Sequence, residues 1–134
     1  MKDTSRNSPL SGRTLKKLYR ISAAVVRAEG KKGSAVITLT GDGQIRGLNR
    51  KYRKIDRATD VLSFEMMENG VLGDIIISSD TAARNASRFG VSLAEELKRL
   101  VIHGTLHLLG YDHGAKPGRD KMRRKEDLYG KKIH

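Results

Sequence analysis

The sequence predicts an α+β fold: a small mixed β-sheet with surrounding helices and a central buried helix carrying candidate metal ligands. Three observations lead there. Stretches with apolar residues at helical spacing are interleaved with short β-branched runs. Two of those runs flank an Asn69-Gly70 turn signal, which reads as a hairpin. One helical stretch, Ser92 to Leu109, is apolar on most of its sides, as a helix enclosed by other elements must be.

The elements follow in chain order. Residues 1–13 are polar, lack the apolar centre of a signal peptide, and read as a flexible lead-in. From Thr14 to Glu29, Leu15, Leu18, Val25 and Ala28 recur at helical spacing, with Ser22 as a gap and Gly30 as the stop. Ser34 to Thr40 alternates Ala35, Ile37 and Leu39 on one face and reads as a strand, closed by a Gly41-Asp42-Gly43 turn. Ile45, Leu48 and Tyr52 then share one side of a short helix, followed by the polar loop KIDRAT. VLSFE and VLGDIIIS form the hairpin strands, joined by a long connection. Asp80 is placed to cap a helix that Gly90 ends, and Ser92 with Glu95 forms a capping box for the central helix. A last basic helix spans about Arg119 to Tyr129. With no internal repeat and no low-complexity linker, residues 1–134 read as one domain, which at this length buries roughly two-thirds of its unfolded surface.

Composition narrows the function. Lys and Arg number 27 against 15 Asp and Glu, a formal charge of +12, so polyanions and nucleic acid above all are the expected partners. Aromatic residues make up only 4%, which favours phosphate contacts over a broad base-stacking platform. The absence of cysteine excludes disulfides and thiolate metal sites and is compatible with a reducing cytoplasm. No run approaches the roughly 18 apolar residues of a membrane span.

HGTLHLLGYDH, His103 to His113, holds three of the four histidines. His103 and His107 are four residues apart and therefore neighbours on one helical face, close enough to share a metal. If the helix continued, His113 would lie about 9 Å beyond His107 along the axis and point about 120° away. Gly110 resolves this, because glycine readily adopts the left-handed conformation that ends a helix and turns the chain back. Three imidazoles without cysteine favour one zinc ion, while nickel, copper and iron also suit the ligand type. Three protein ligands leave a fourth position open, the catalytic pattern. The spacing matches metzincin proteases, but those carry a Glu base after the first His where this chain has Gly104, which disfavours peptide hydrolysis. Asp112 reads as a loop hydrogen-bonder or as the orienter of a histidine.

The same string resembles the signature H-G-x-L-H-L-x-G-Y-D-H of the YbeY family of bacterial endoribonucleases. LNRKYRKIDRATDVLSFE, Leu48 to Glu65, is similar to that family's L-N-x-x-Y-R-x-x-D-x-x-T-D-V-L-S-F-P, and LGDIIIS to its G-D-I strand. The resemblance implies a zinc-dependent, single-strand-specific endoribonuclease of ribosomal RNA maturation, including the 16S 3′ end, and of ribosome quality control. It also implies cytoplasmic residence and contact with the small ribosomal subunit. Carried over residue by residue, it makes His103, His107 and His113 the zinc ligands and Arg53 the catalytic arginine, whose guanidinium suits a doubly hydrogen-bonded phosphate. Lys51, Lys54 and Arg57 read either as contacts to the RNA backbone or as solvated cations. The chain departs from the pattern at Glu65, where proline is usual, and at Lys54-Ile55, where Gly-Lys is commoner. The competing readings are a non-catalytic RNA-binding ribosome assembly factor stapled by zinc, and a metallohydrolase of another substrate such as a peptide.

Overall fold

A computed structural model describes residues 12–111, 114 and 116–134. The described elements run α1 (Gly12–Ala28), β1 (Ser34–Thr40), α2 (Asp42–Arg53), β2 (Val61–Glu68), β3 (Val71–Ser78), α3 (Ser79–Phe89), α4 (Leu93–Leu108) and α5 (Lys116–Lys132). The expected α+β architecture is present. Its three-stranded sheet has the order β1-β3-β2, with β1 parallel and β2 antiparallel to the central strand. Of the expected lead-in, Gly12 and Arg13 begin α1, and residues 1–11 lie outside the described residues.

The central strand β3 supplies Ile75 and Ile77, both fully buried, and α4 packs on it with Leu97, Leu100, Val101 and Leu108. Gly104 makes the approach close. A Cβ there would lie 2.8 Å from Cγ2 of Ile75 and 3.2 Å from Oγ of Ser63. The position that carries glutamate in metzincins therefore faces the sheet, with no room for a side chain. The apolar gap at Ser22 on α1 is filled by a buried hydroxyl pair, Ser22 Oγ and Thr105 Oγ1 at 2.8 Å, which ties α1 to α4.

Several boundaries differ from expectation. The Gly41-Asp42-Gly43 stretch is not a free-standing turn, because Gly41 is the N-cap of α2 and the helix begins at Asp42. Tyr52 is 55% exposed, and Asn49 takes the buried place beside Ile45, with Nδ2 donating to the Arg57 carbonyl at 3.0 Å. The hairpin connection is tight rather than long. β2 continues past Glu65 to Glu68 through a bulge that opposes Glu65 to Gly73 and Glu68 to Val71, and Asn69-Gly70 makes the turn. Ser78, not Asp80, caps α3, since β3 runs directly into that helix. Asp80 instead accepts the Asp42 amide at 3.0 Å and serves α2. Asp42 reciprocates, accepting from Ser78 Oγ, Thr81 Oγ1 and Arg84, each at 2.6 Å. Burial acts upward on the Asp42 carboxyl, but those bonds outweigh it and hold its pKa below the usual range. The cross-capping locks α2, and with it Arg53, to the sheet.

Candidate metal and phosphate site

The end of α2, the start of β2 and the cleft-facing side of α4 enclose a cleft of about 330 Å³. Among its lining residues are Asn49, Arg53, Arg57, Asp60, His103 and His107. Four of the candidate residues thus share one cavity although up to 54 positions separate them. Lys51 and Lys54 are exposed at the end of α2, outside the lining.

Arg53 is held at the cleft wall from two directions. Its Nη2 donates to the Ser63 carbonyl at 2.6 Å, and its guanidinium carbon lies 5.1 Å from the centre of the Phe64 ring. Ser63 Oγ reaches back at 3.4 Å to the carbonyl of Gly104, the residue after His103. One residue therefore relates the arginine to the histidine helix. Sequence spacing identified the VLSFE strand but not this role for its serine.

α4 presents its histidines as the capping signals require. Ser92 Oγ accepts the Glu95 amide at 3.1 Å and opens the helix. At the other end the Gly110 amide donates to the His107 carbonyl and the Tyr111 amide to Leu106, both at 3.1 Å, with Gly110 at φ 103. Those two bonds form a Schellman motif that stops α4 and turns the chain out of the helical path.

His103 is mostly buried, and its Nδ1 pairs with the carboxylate of Glu126 on α5. Sequence reasoning looked for a histidine orienter at Asp112, which lies outside the described residues, and missed Glu126. The available signal was periodicity: Met122, Glu126 and Tyr129 fall on one α5 face, and both flanking residues are buried. The helix read as an RNA-binding or exposed basic segment thus turns one side toward α4.

A carboxylate on Nδ1 selects the tautomer that leaves Nε2 as the donor nitrogen, the usual arrangement behind a metal-ligating histidine. His103 and His107, one turn apart and both lining the cleft, suit a divalent metal by donor chemistry and by position. Among the described residues, no three His, Cys, Asp or Glu side chains form a metal cluster. The third expected ligand, His113, lies outside the described residues.

Comparison with known proteins establishes the family. The family model for Endoribonuclease YbeY matches residues 3–134. The chain is 43% identical to Endoribonuclease YbeY of Moorella thermoacetica, over 89% of this chain and 86% of that one. It is 45% identical to Endoribonuclease YbeY of Pelotomaculum thermopropionicum, over 82% and 80%. In fold it is similar to the solution structure of TM1509 from Thermotoga maritima, with a TM-score of 0.69 and 33% identity over 90% of this chain and 81% of that one. A family match across nearly the whole length, with relatives 43% and 45% identical over most of both chains, means that this chain belongs to the YbeY endoribonuclease family.

Proposed function

We propose that this protein is a zinc-dependent endoribonuclease that cuts single-stranded RNA during ribosomal RNA maturation, including at the 16S 3′ end, and in ribosome quality control. It works on the small ribosomal subunit in the cytoplasm. The observation that carries the reading is the cleft that Arg53 lines together with His103 and His107. Family membership supports the reaction class, and the +12 charge suits an anionic substrate.

His103, His107 and His113 would hold the zinc, which would supply Lewis-acid polarisation of a phosphoryl oxygen. The protein's own groups do the rest. Glu126 holds the His103 ring in one tautomer and one orientation. Arg53 commits one N–H to Ser63 and turns its remaining donors to two oxygens of the scissile phosphate, where negative charge accumulates as the phosphodiester is attacked. Arg57, exposed at the cleft margin, neutralises an adjoining phosphate, while Lys51 and Lys54 meet the strand outside the cleft.

Metal removal tests this. Protein stripped with a chelator loses cleavage of a labelled single-stranded ribosomal RNA fragment, and added zinc restores it in wild type but not in His107→Ala. If stripped and reloaded protein bind the RNA equally and neither cleaves it, the zinc-stapled assembly factor is the better account.

A further inference from the structure

Tyr52 is one of four tyrosines, and its surroundings set it apart. The hydroxyls of Tyr111 and Tyr129 are bonded to Glu29, and the Tyr19 hydroxyl accepts the Ile37 amide at 2.9 Å. Tyr52 instead leaves 55% of its surface in solvent on the last turn of α2, next to Arg53. Its ring meets Phe64 of β2 edge-on, with centroids 5.4 Å apart and planes at 64°. Lys51 Nζ stands 5.2 Å above the Tyr52 ring, and the Arg53 guanidinium lies over Phe64. The two aromatics and two cations form one continuous patch whose inner end is the arginine of the cleft. Phe89 is as exposed, but the hollow it borders is of mixed charge, with Glu95, Glu96, Glu126 and Asp127 beside Lys98, Arg99 and Lys131, and has no part in the patch around Arg53.

Resting on the ribonuclease reading above, we infer that Tyr52, braced by Phe64, is a base-stacking subsite for the nucleotide next to the phosphate held by Arg53. The occupant is an unpaired RNA base. The base displaces the Lys51 ammonium from the ring face, a weak exposed contact, and the freed ammonium moves to the flanking phosphate. A base within a duplex has both faces covered by its neighbours and cannot make this contact. The patch thereby gives a physical cause for preferring single strands, and stacking alone gives little discrimination among the four bases.

The test measures binding of a fluorescent single-stranded oligoribonucleotide, and of copies with one abasic site moved along the strand, to wild type, Tyr52→Leu and Tyr52→Trp. Cleavage by wild type is followed separately. Wild type binds one abasic copy about tenfold more weakly than the intact strand, Tyr52→Leu binds the intact strand about tenfold more weakly and ignores the abasic position, and Tyr52→Trp behaves as wild type. Thermal melting of Tyr52→Leu matches wild type because the ring is largely exposed. Equal binding by wild type and Tyr52→Leu, with the same abasic profile, overturns the subsite even if wild type cleaves. The Tyr52 pattern without cleavage by wild type leaves the subsite standing and overturns the nuclease reading.

Discussion

His103 shows how a single contact adds chemistry that spacing cannot display. The interval between His103 and His107 is visible in the sequence because a helix turns in 3.6 residues. The carboxylate behind His103 comes from Glu126, 23 positions away on another helix, and only tertiary packing brings it there. The same holds for Ser63, whose carbonyl anchors Arg53 and whose hydroxyl touches α4. Arg53, Arg57, His103 and His107, named from the sequence, line one cleft, whereas the residues that orient them were not legible. Replacing Glu126 by alanine frees the His103 ring to rotate and to change tautomer. Zinc affinity, read by competition with a chromophoric chelator, falls about 10- to 100-fold. Unchanged affinity would mean that the pair holds α5 to α4 and does nothing for the metal.

At the scale of the element, α2 carries the arginine and its two ends explain how. Its N-terminus is cross-capped with α3 through Asp42 and Asp80, a pairing no local pattern announces, so Gly41-Asp42-Gly43 looked like a turn. Its C-terminus is closed by Lys54 at φ 62, whose amide bonds to the Asn49 carbonyl. A left-handed residue with a Cβ is strained, which is the physical reason to expect glycine at this position. Lys54→Gly relieves the strain and, after the extra freedom glycine gives the unfolded chain, stabilises the protein by about 1 kcal/mol. Chemical denaturation should place the variant's midpoint above wild type; a lower midpoint would show that the lysine side chain contributes more than its backbone costs. By contrast, α4 was legible end to end, because Ser92, Glu95 and Gly110 act locally. β2 was legible only to Glu65, since a bulge breaks the period-two pattern on which strand reading depends.

For the whole molecule, Glu29 is the point where distant segments meet. It accepts the hydroxyl of Tyr111 at 2.7 Å and that of Tyr129, and pairs with Lys125 at 3.1 Å. The end of α1, the chain leaving α4 and the middle of α5 are joined there. Burial acts upward on the Glu29 carboxyl, but the bonds from Tyr129, Tyr111 and Lys125 outweigh it and hold its pKa below the usual carboxylate range. Burial raises the pKa of the Tyr129 hydroxyl, and its bond to Glu29 raises it further, to about 12 from the ordinary phenol value of 10.0. A depressed carboxyl stabilises the fold above its unfolded pKa, and that contribution disappears as pH falls through the folded value. A raised phenol stabilises it below its unfolded pKa, and that contribution disappears as pH climbs from about 10 to about 12. Denaturation midpoints therefore fall across that alkaline window, less steeply in Tyr129→Phe; parallel curves for the two proteins would remove Tyr129 as the cause.

The central claim is that Arg53 and the histidine helix form one catalytic cleft, and the most direct measurement is the cleavage rate of single-stranded ribosomal RNA by wild type and Arg53→Ala at equal zinc content. Arg53 lies outside the proposed zinc ligands, so the variant keeps its metal while cleavage drops by about 10²-fold or more. Cleavage by Arg53→Ala at the wild-type rate would contradict the account.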